Sequence, residues 1–461
     1  GGIIGTSTAL ELTEKGLRVA LCEKGGIGQE QSSRNWGWVR ISRRDPREIP
    51  LMAEALRIWP GLKERTGREL GYKQSGILFA CRSDKQMAQY ESWSDHLKPY
   101  QLDSRMVSGA EFDSVMPGCN EPVKGGLFTA ADGRAEPQLA APAIAEAARD
   151  KGAVILTECA VRGVETSGGA ISGVVTERGP IACDAVVLAG GAWSRLFSGN
   201  LGIEFPQLKV MNTVVRTEPI EGGPEAAYWT SDFSFRKRKD GGYTLASGSV
   251  NVVDIVPDSF RLALKYLPAL QHQWRDLRLR FGPRFAQEAS YARKWRNDET
   301  TPFEYTRVLD PKPHAKVVRN TLEAAAKAFP IFANARPRQS WAGYIDVTPD
   351  AVPVISAVDS LPGFFMASGF SGRIGRRIVM TGGGSQLTGL TDVARHVFAR
   401  PVRLGRPLGV KGLPIAARGA AFSAVVGLLI YPQLAPASLF ETSSQSTGYL
   451  ARMGRWLRES F

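Results

Sequence analysis

The sequence predicts an α/β fold, and three observations predict it. Residues 1–10, Gly-Gly-Ile-Ile-Gly-Thr-Ser-Thr-Ala-Leu, read as a glycine-rich turn running into a helix. Residues 17–24, Leu-Arg-Val-Ala-Leu-Cys-Glu-Lys, read as a strand carrying an acidic residue, Glu23, at its tip. Further on, Ala185-Val186-Val187-Leu188-Ala189 is an unbroken apolar run closed by Gly190-Gly191, which suits the middle of a parallel sheet covered on both faces.

The opening turn has the chemistry of a dinucleotide site. Glycines let the backbone approach a pyrophosphate, and the mouth of a helix offers free N–H groups and partial positive charge. An acidic side chain at the tip of the next strand can accept hydrogen bonds from a ribose. Glu23 falls 18 residues after Gly5, close to the usual separation of about 20. Gly2-Ile3-Ile4-Gly5 supplies the last four positions of a GxGxxG pattern, and no strand stands ahead of it, so the start reads as truncated within its phosphate loop. Residues 137–151 predict a helix, with Pro137 at its start and Leu139, Ile144 and Ala147 at helical spacing. Val154-Ile155-Leu156 begins one strand and Ile171–Thr176 forms another. Phe233–Arg238 and Tyr243–Ala246, joined through Asp240-Gly241-Gly242, predict an antiparallel hairpin.

Composition narrows the function. The chain has 461 residues, 43% hydrophobic and 22% charged, with 49 Gly and 28 Pro, which excludes a disordered, collagenous or coiled-coil whole. Its net charge of +13 is unevenly spread. Residues 373–461 carry 12 basic and three acidic residues, so the body is near neutral and implies no nucleic-acid partner. Five scattered cysteines without paired spacing read as reduced thiols, hence a cytoplasmic protein. The four histidines lie far apart, which argues against a metal site, and the longest apolar run, about Ala420 to Tyr431, falls short of the ~20 residues a membrane span needs.

Taken together, the chain resembles the flavin-dependent amine and amino-acid oxidoreductases of the D-amino-acid oxidase, glycine oxidase and sarcosine oxidase group. Five segments carry the likeness, in the family's order: Gly2–Gly5 with Glu23; Gln31–Arg40; the Pro137 helix; Leu188–Trp193; and Trp341-Ala342-Gly343 through Thr348–Val354 to Gly369-Phe370-Ser371-Gly372. The resemblance implies a Rossmann-like FAD-binding domain interleaved with a smaller α+β substrate domain built on an antiparallel sheet. The FAD-binding domain would take residues 1–75, 135–205 and 335–372, and the substrate domain 76–134 and 206–334. FAD would lie extended. Gly2 and Gly5 would approach its pyrophosphate and Glu23 its ribose. Ser32, Ser33 and Asn35 would line the stretch toward the flavin, Val161 would sit by the adenine, and Gly190 and Gly191 would let the chain pass close. Gly369, Phe370, Ser371 and Gly372 would reach the pyrimidine edge of the ring.

The implied reaction oxidises the C–N bond of an amino acid, N-methyl amino acid or related amine, with O2 or an electron carrier as acceptor. A 2-hydroxy acid is the alternative substrate, and a truncated, inactive flavoprotein homologue the alternative to an enzyme. A carboxylate-bearing substrate needs a cationic anchor, best an Arg. Arg40 holds the position of the substrate-carboxylate Arg in the sarcosine-oxidase pattern, and Arg236, which shares a hairpin face with Arg238, is the second choice. The Arg of glycine-oxidase-like members, two residues after Trp-Ala-Gly, is replaced here by Ile345. Trp36, Trp38 and Tyr344 would shape a pocket for a larger side chain. From residue 373 the text turns arginine-rich and loses family character, which predicts an out-of-frame or substituted C-terminus.

Overall fold

The glycine-rich turn does open a helix. In the computed structural model, which describes residues 1–267 and 277–370, Gly2 is extended at φ −76°, ψ 178° and the helix Ile3–Glu14 follows it. Ala9 and Leu10 on this helix pack against Ala140, Ala143, Ile144 and Ala147 of the helix Pro137–Asp150. The alanines of the longer helix let the two backbones approach closely. Burying a leucine such as Leu10 contributes about 1.5–3 kcal/mol, and this apolar seam fixes where the helix mouth points.

The predicted parallel strands form in two pieces. Ala20–Cys22 pairs in parallel with Val154–Leu156. Val186–Leu188 pairs in parallel with Phe364–Ser368, which in turn pairs antiparallel with Val354–Ala357. The run Val186–Leu188 therefore stands at an edge of its sheet among the described residues rather than in the middle. Its outer side opens on a cavity, and Val187 is 37% exposed. A three-stranded antiparallel sheet, Val161–Ser167, Ala170–Thr176 and Gly179–Ala182, lies between these strands in sequence.

The second layer is a ten-stranded, mainly antiparallel sheet. The predicted hairpin is part of it, Ser234–Lys237 against Tyr243–Ala246. Tyr228, Phe233, Phe235, Tyr243, Phe329 and Phe332 pack into its core, with Phe235 and Phe329 edge-on at 5.1 Å. The strand Pro337–Val347 departs from the expected division. It pairs with Leu208–Thr217 from Leu208↔Val347 to Thr217↔Pro337, so hydrogen bonding ties it to the large sheet and not to the nucleotide-type strands. All five cysteines are free. Among the described residues no helix is long and apolar enough to cross a membrane, and no cluster of ligating side chains could hold a metal.

Candidate functional site

One cavity of about 2510 Å³ joins these layers. It is far larger than the ~300–1,000 Å³ of an ordinary small-ligand pocket, as a long two-ended ligand requires. Its lining includes the glycine turn with Glu23 (Gly1, Gly2, Gly5), the polar or small residues Ser32, Asn35, Gly190 and Gly191, and the group Trp36, Trp38, Arg40, Phe79 and Trp229, with Tyr344 and Phe370 also on its wall.

The glycine end is built for close approach. Gly2 has no side chain with which to cap the helix, so first-turn N–H groups other than that of Ile3 are left for a ligand. The Ile3 N–H donates to Ser32 Oγ at 2.8 Å. A Cβ on Gly2 would stand 2.9 Å from that same Ser32 Oγ. Glu23 faces the turn: its Oε1 accepts the Gly25 N–H at 2.8 Å, and its Oε2 lies 2.8 Å from the Gly1 nitrogen. Asn35 braces the path toward the aromatic group, donating to the Ser32 carbonyl at 2.8 Å and accepting the Gly37 N–H at 2.7 Å. Gly37 has φ +79°, and a Cβ there would meet Ala135 O at 2.6 Å, so only glycine lets the chain cross into Trp38–Val39.

The aromatic group is a box with a cation in it. Trp36 and Trp38 meet edge-on at 5.2 Å and Trp38 and Phe79 edge-on at 6.0 Å, while Phe79 and Trp229 are tilted by 36° at 5.6 Å. Trp36 Nε1 is anchored on Asn212 Oδ1 at 3.0 Å, leaving the ring to wall the cavity. Arg40 lies 5.7 Å from the Phe79 ring centre, and its guanidinium donates to the Ser42 carbonyl. Arg43 stacks on Tyr90 at 4.0 Å, and Arg44 Nη1 stands 3.6 Å from Glu48. Burial pulls the Arg40 guanidinium below the usual range, the Arg44 charge adds to that pull, and Asp132 and Glu48 oppose it. Three arginines against two acids leave a partly dehydrated positive site, where an incoming carboxylate is favoured.

The expected residues divide as follows. Gly2, Gly5, Glu23, Ser32, Asn35, Val161, Gly190, Gly191, Arg40 and Phe370 line the cavity. Ser33 faces a second cleft, beside Gln138 and Arg34. Gly369 does not line the cavity, and its N–H is spent on the buried Asp346 at 2.7 Å. Ser371 and Gly372, with the rest of the basic tail, lie outside the described residues. Arg236 is the correction. It lies off the cavity, 1% exposed, and its two terminal nitrogens bind Glu136 Oε1 and Oε2 at 2.8 and 3.0 Å while its Nε donates to Trp36 O. A guanidinium so engaged ties the hairpin to residues 36–37 and has no fork left for a substrate. Sequence reasoning missed Glu136 and Asp132. Their signal was Asp132-Gly133, a turn dipeptide, and an acid placed directly before the proline that opens a helix.

The donor set fits FAD: N–H groups at a glycine turn, a carboxylate beside that turn, and a long cavity lined by both. The fold and this cavity define a dinucleotide-binding oxidoreductase. The sequence matches the family described as DAO, FAD dependent oxidoreductase, over residues 1–375, and the chain belongs to that family. Its fold is that of the L-amino acid deaminase from Proteus myxofaciens, 31% identical, with a TM-score of 0.78 over 80% of this chain and 84% of that one. It is 27% identical to the mitochondrial sarcosine dehydrogenase of Homo sapiens over 230 residues, 48% of this chain and 25% of that protein. A separate likeness, 52% identity over 101 residues, is to the cell division protein FtsA of Agrobacterium fabrum, covering 20% of this chain and 23% of that protein. The chain thus spans about a quarter of the length of these two curated relatives.

Proposed function

We propose that the chain oxidises the C–N bond of an α-amino acid or N-methyl amino acid that carries a large apolar side chain. The observation that carries this is Arg40, a partly dehydrated cation in the wall of an aromatic box within the cavity. When bound, FAD supplies the acceptor for the hydride of the substrate's Cα–H or N-methyl carbon. The protein's share is placement. Gly2, Gly5 and Glu23 hold the dinucleotide end, with Ser32 and Asn35 along its path. Arg40 supplies the positive charge that the carboxylate pairs with. Trp36, Trp38, Phe79 and Trp229 enclose the side chain and exclude water, which strengthens the Arg40 contact. Likeness to proteins named L-amino acid deaminase and sarcosine dehydrogenase supports an amine substrate.

A panel of aromatic, aliphatic and N-methyl amino acids and their 2-hydroxy counterparts, scored by anaerobic bleaching of bound flavin, tests the reading. Bleaching by bulky apolar amino acids is expected. Bleaching by hydroxy acids alone overturns it.

We further infer that the sequence beyond residue 375 is an FtsA-like segment joined to the oxidoreductase domain. The FtsA likeness covers a share of the chain that matches what the oxidoreductase family leaves over. A shifted reading frame does not produce a segment 52% identical to a curated protein, so substitution is favoured over frameshift. Sequencing one long genomic read across residues 370–380 tests it. An uninterrupted junction between the two coding segments is expected, and a frame that restores the family motif overturns it.

A further inference from the structure

We propose that Asp132 is a positioning residue that sets the direction of the Arg40 guanidinium, an inference that rests on Arg40 being the carboxylate anchor. Strand register brings the two together. Trp38–Val39 pairs antiparallel with Gly133–Arg134, Trp38 opposite Arg134 and Val39 opposite Gly133. Arg40 follows the last paired residue on one side and Asp132 precedes the first on the other, so the ladder's end leaves them as neighbours of the same pair, Val39 and Gly133.

Asp132 is fully buried, and it does not line the cavity. Its Oδ1 accepts the Ile41 N–H at 2.6 Å. Its Oδ2 accepts the Ser42 N–H at 3.3 Å and also the Ser42 hydroxyl. One carboxylate therefore binds two successive amides and one hydroxyl of the residues that follow the anchor. Arg40 closes the ring by donating to the Ser42 carbonyl. The far side of the clamp is itself fixed, because the Asp132 carbonyl accepts the Gly76 N–H at 2.8 Å and its N–H donates to Thr129 O at 3.2 Å. Asp132 also supplies negative charge that offsets the burial of Arg40. An ordinary turn acceptor would serve one N–H. This one spends all three side-chain hydrogen bonds on the two residues that follow the anchor, and a carboxylate is the one side chain that accepts all three bonds without offering a donor.

The test is a double-mutant cycle on the FAD-loaded full chain with its best amino-acid substrate. Asp132→Asn keeps the shape but turns a donor toward the Ser42 N–H. It is expected to raise KM about tenfold with kcat within about twofold, the size of one lost charge-assisted contact. In an Arg40→Ala background the same change is expected to leave KM where Arg40→Ala put it. Ser42→Ala, which removes the hydroxyl alone, is expected to give a smaller KM rise that also vanishes in the Arg40→Ala background, and it carries the test if Asp132→Asn does not fold. Multiplicative effects of the two substitutions, or an Asp132→Asn enzyme with altered melting and unaltered KM, overturn the positioning role while leaving Arg40 as anchor. An Arg40→Ala enzyme with unchanged KM overturns the anchor itself.

Discussion

Arg236→Ala separates a substrate anchor from a structural ion pair. Arg236 and Glu136 have side chains 1% and 5% exposed and share two hydrogen bonds of 2.8 and 3.0 Å. Glu136 also accepts the Lys239 N–H at 2.9 Å and has Arg238 at 3.6 Å. Removing Arg236 leaves a buried carboxylate with its main partner gone, which costs about 3–5 kcal/mol and lowers Tm by roughly 3–5 °C in a chain of this size. The pH dependence has a defined sign. Burial pushes Glu136 up, but hydrogen bonds and charge from Arg236, with the Lys239 N–H and Arg238, outweigh it and hold the carboxyl below its usual range. Its stabilisation is therefore complete above about pH 4.3, the ordinary glutamate value, and is lost as pH falls below that. Glu136→Gln should be less stable than the parent at pH 7, and the gap should narrow below pH 4. Thermal unfolding followed by circular dichroism across that range, with KM on the same samples, is the assay. A large KM rise with unchanged Tm would return Arg236 to the substrate site and refute this reasoning.

Two further outcomes follow from the cavity. Arg40→Ala is expected to raise substrate KM roughly 10- to 100-fold, the loss of hydrogen bonds to a charged partner, while FAD content stays as in the parent. Equal losses of both would place Arg40 in cofactor binding instead. Glu23→Ala is expected to weaken FAD binding about tenfold or more, measured by quenching of flavin fluorescence on titration, with KM at saturating FAD unchanged. Unaltered FAD affinity would remove Glu23 from the ribose.

Local pattern carried much of this into the sequence. The helix after Gly2, the Pro137 helix and the Tyr243 hairpin each rest on neighbours within a few residues, where periodicity and turn chemistry are readable. Glu23 was legible because the strand that carries it is short and its separation from Gly5 is set by one helix and one turn. What stayed hidden depends on pairing across long stretches of chain. Arg236 reads as a free basic residue on a hairpin until Glu136, 100 positions away, comes beside it. Nothing local in Pro337–Val347 tells which sheet it joins, and the pairing with Leu208–Thr217 decides it. Asp132 looks like a turn residue until its carboxylate takes up the N–H groups of Ile41 and Ser42, some 90 positions away.

The proposed activity depends on the glycine-lined helix mouth and Glu23 taking hold of FAD. The most direct measurement is the visible absorption spectrum of the purified, folded chain after incubation with FAD and removal of free ligand. Paired near-ultraviolet and blue bands of bound flavin, reduced in height by Glu23→Ala, are the expected result. A folded protein that stays colourless contradicts it.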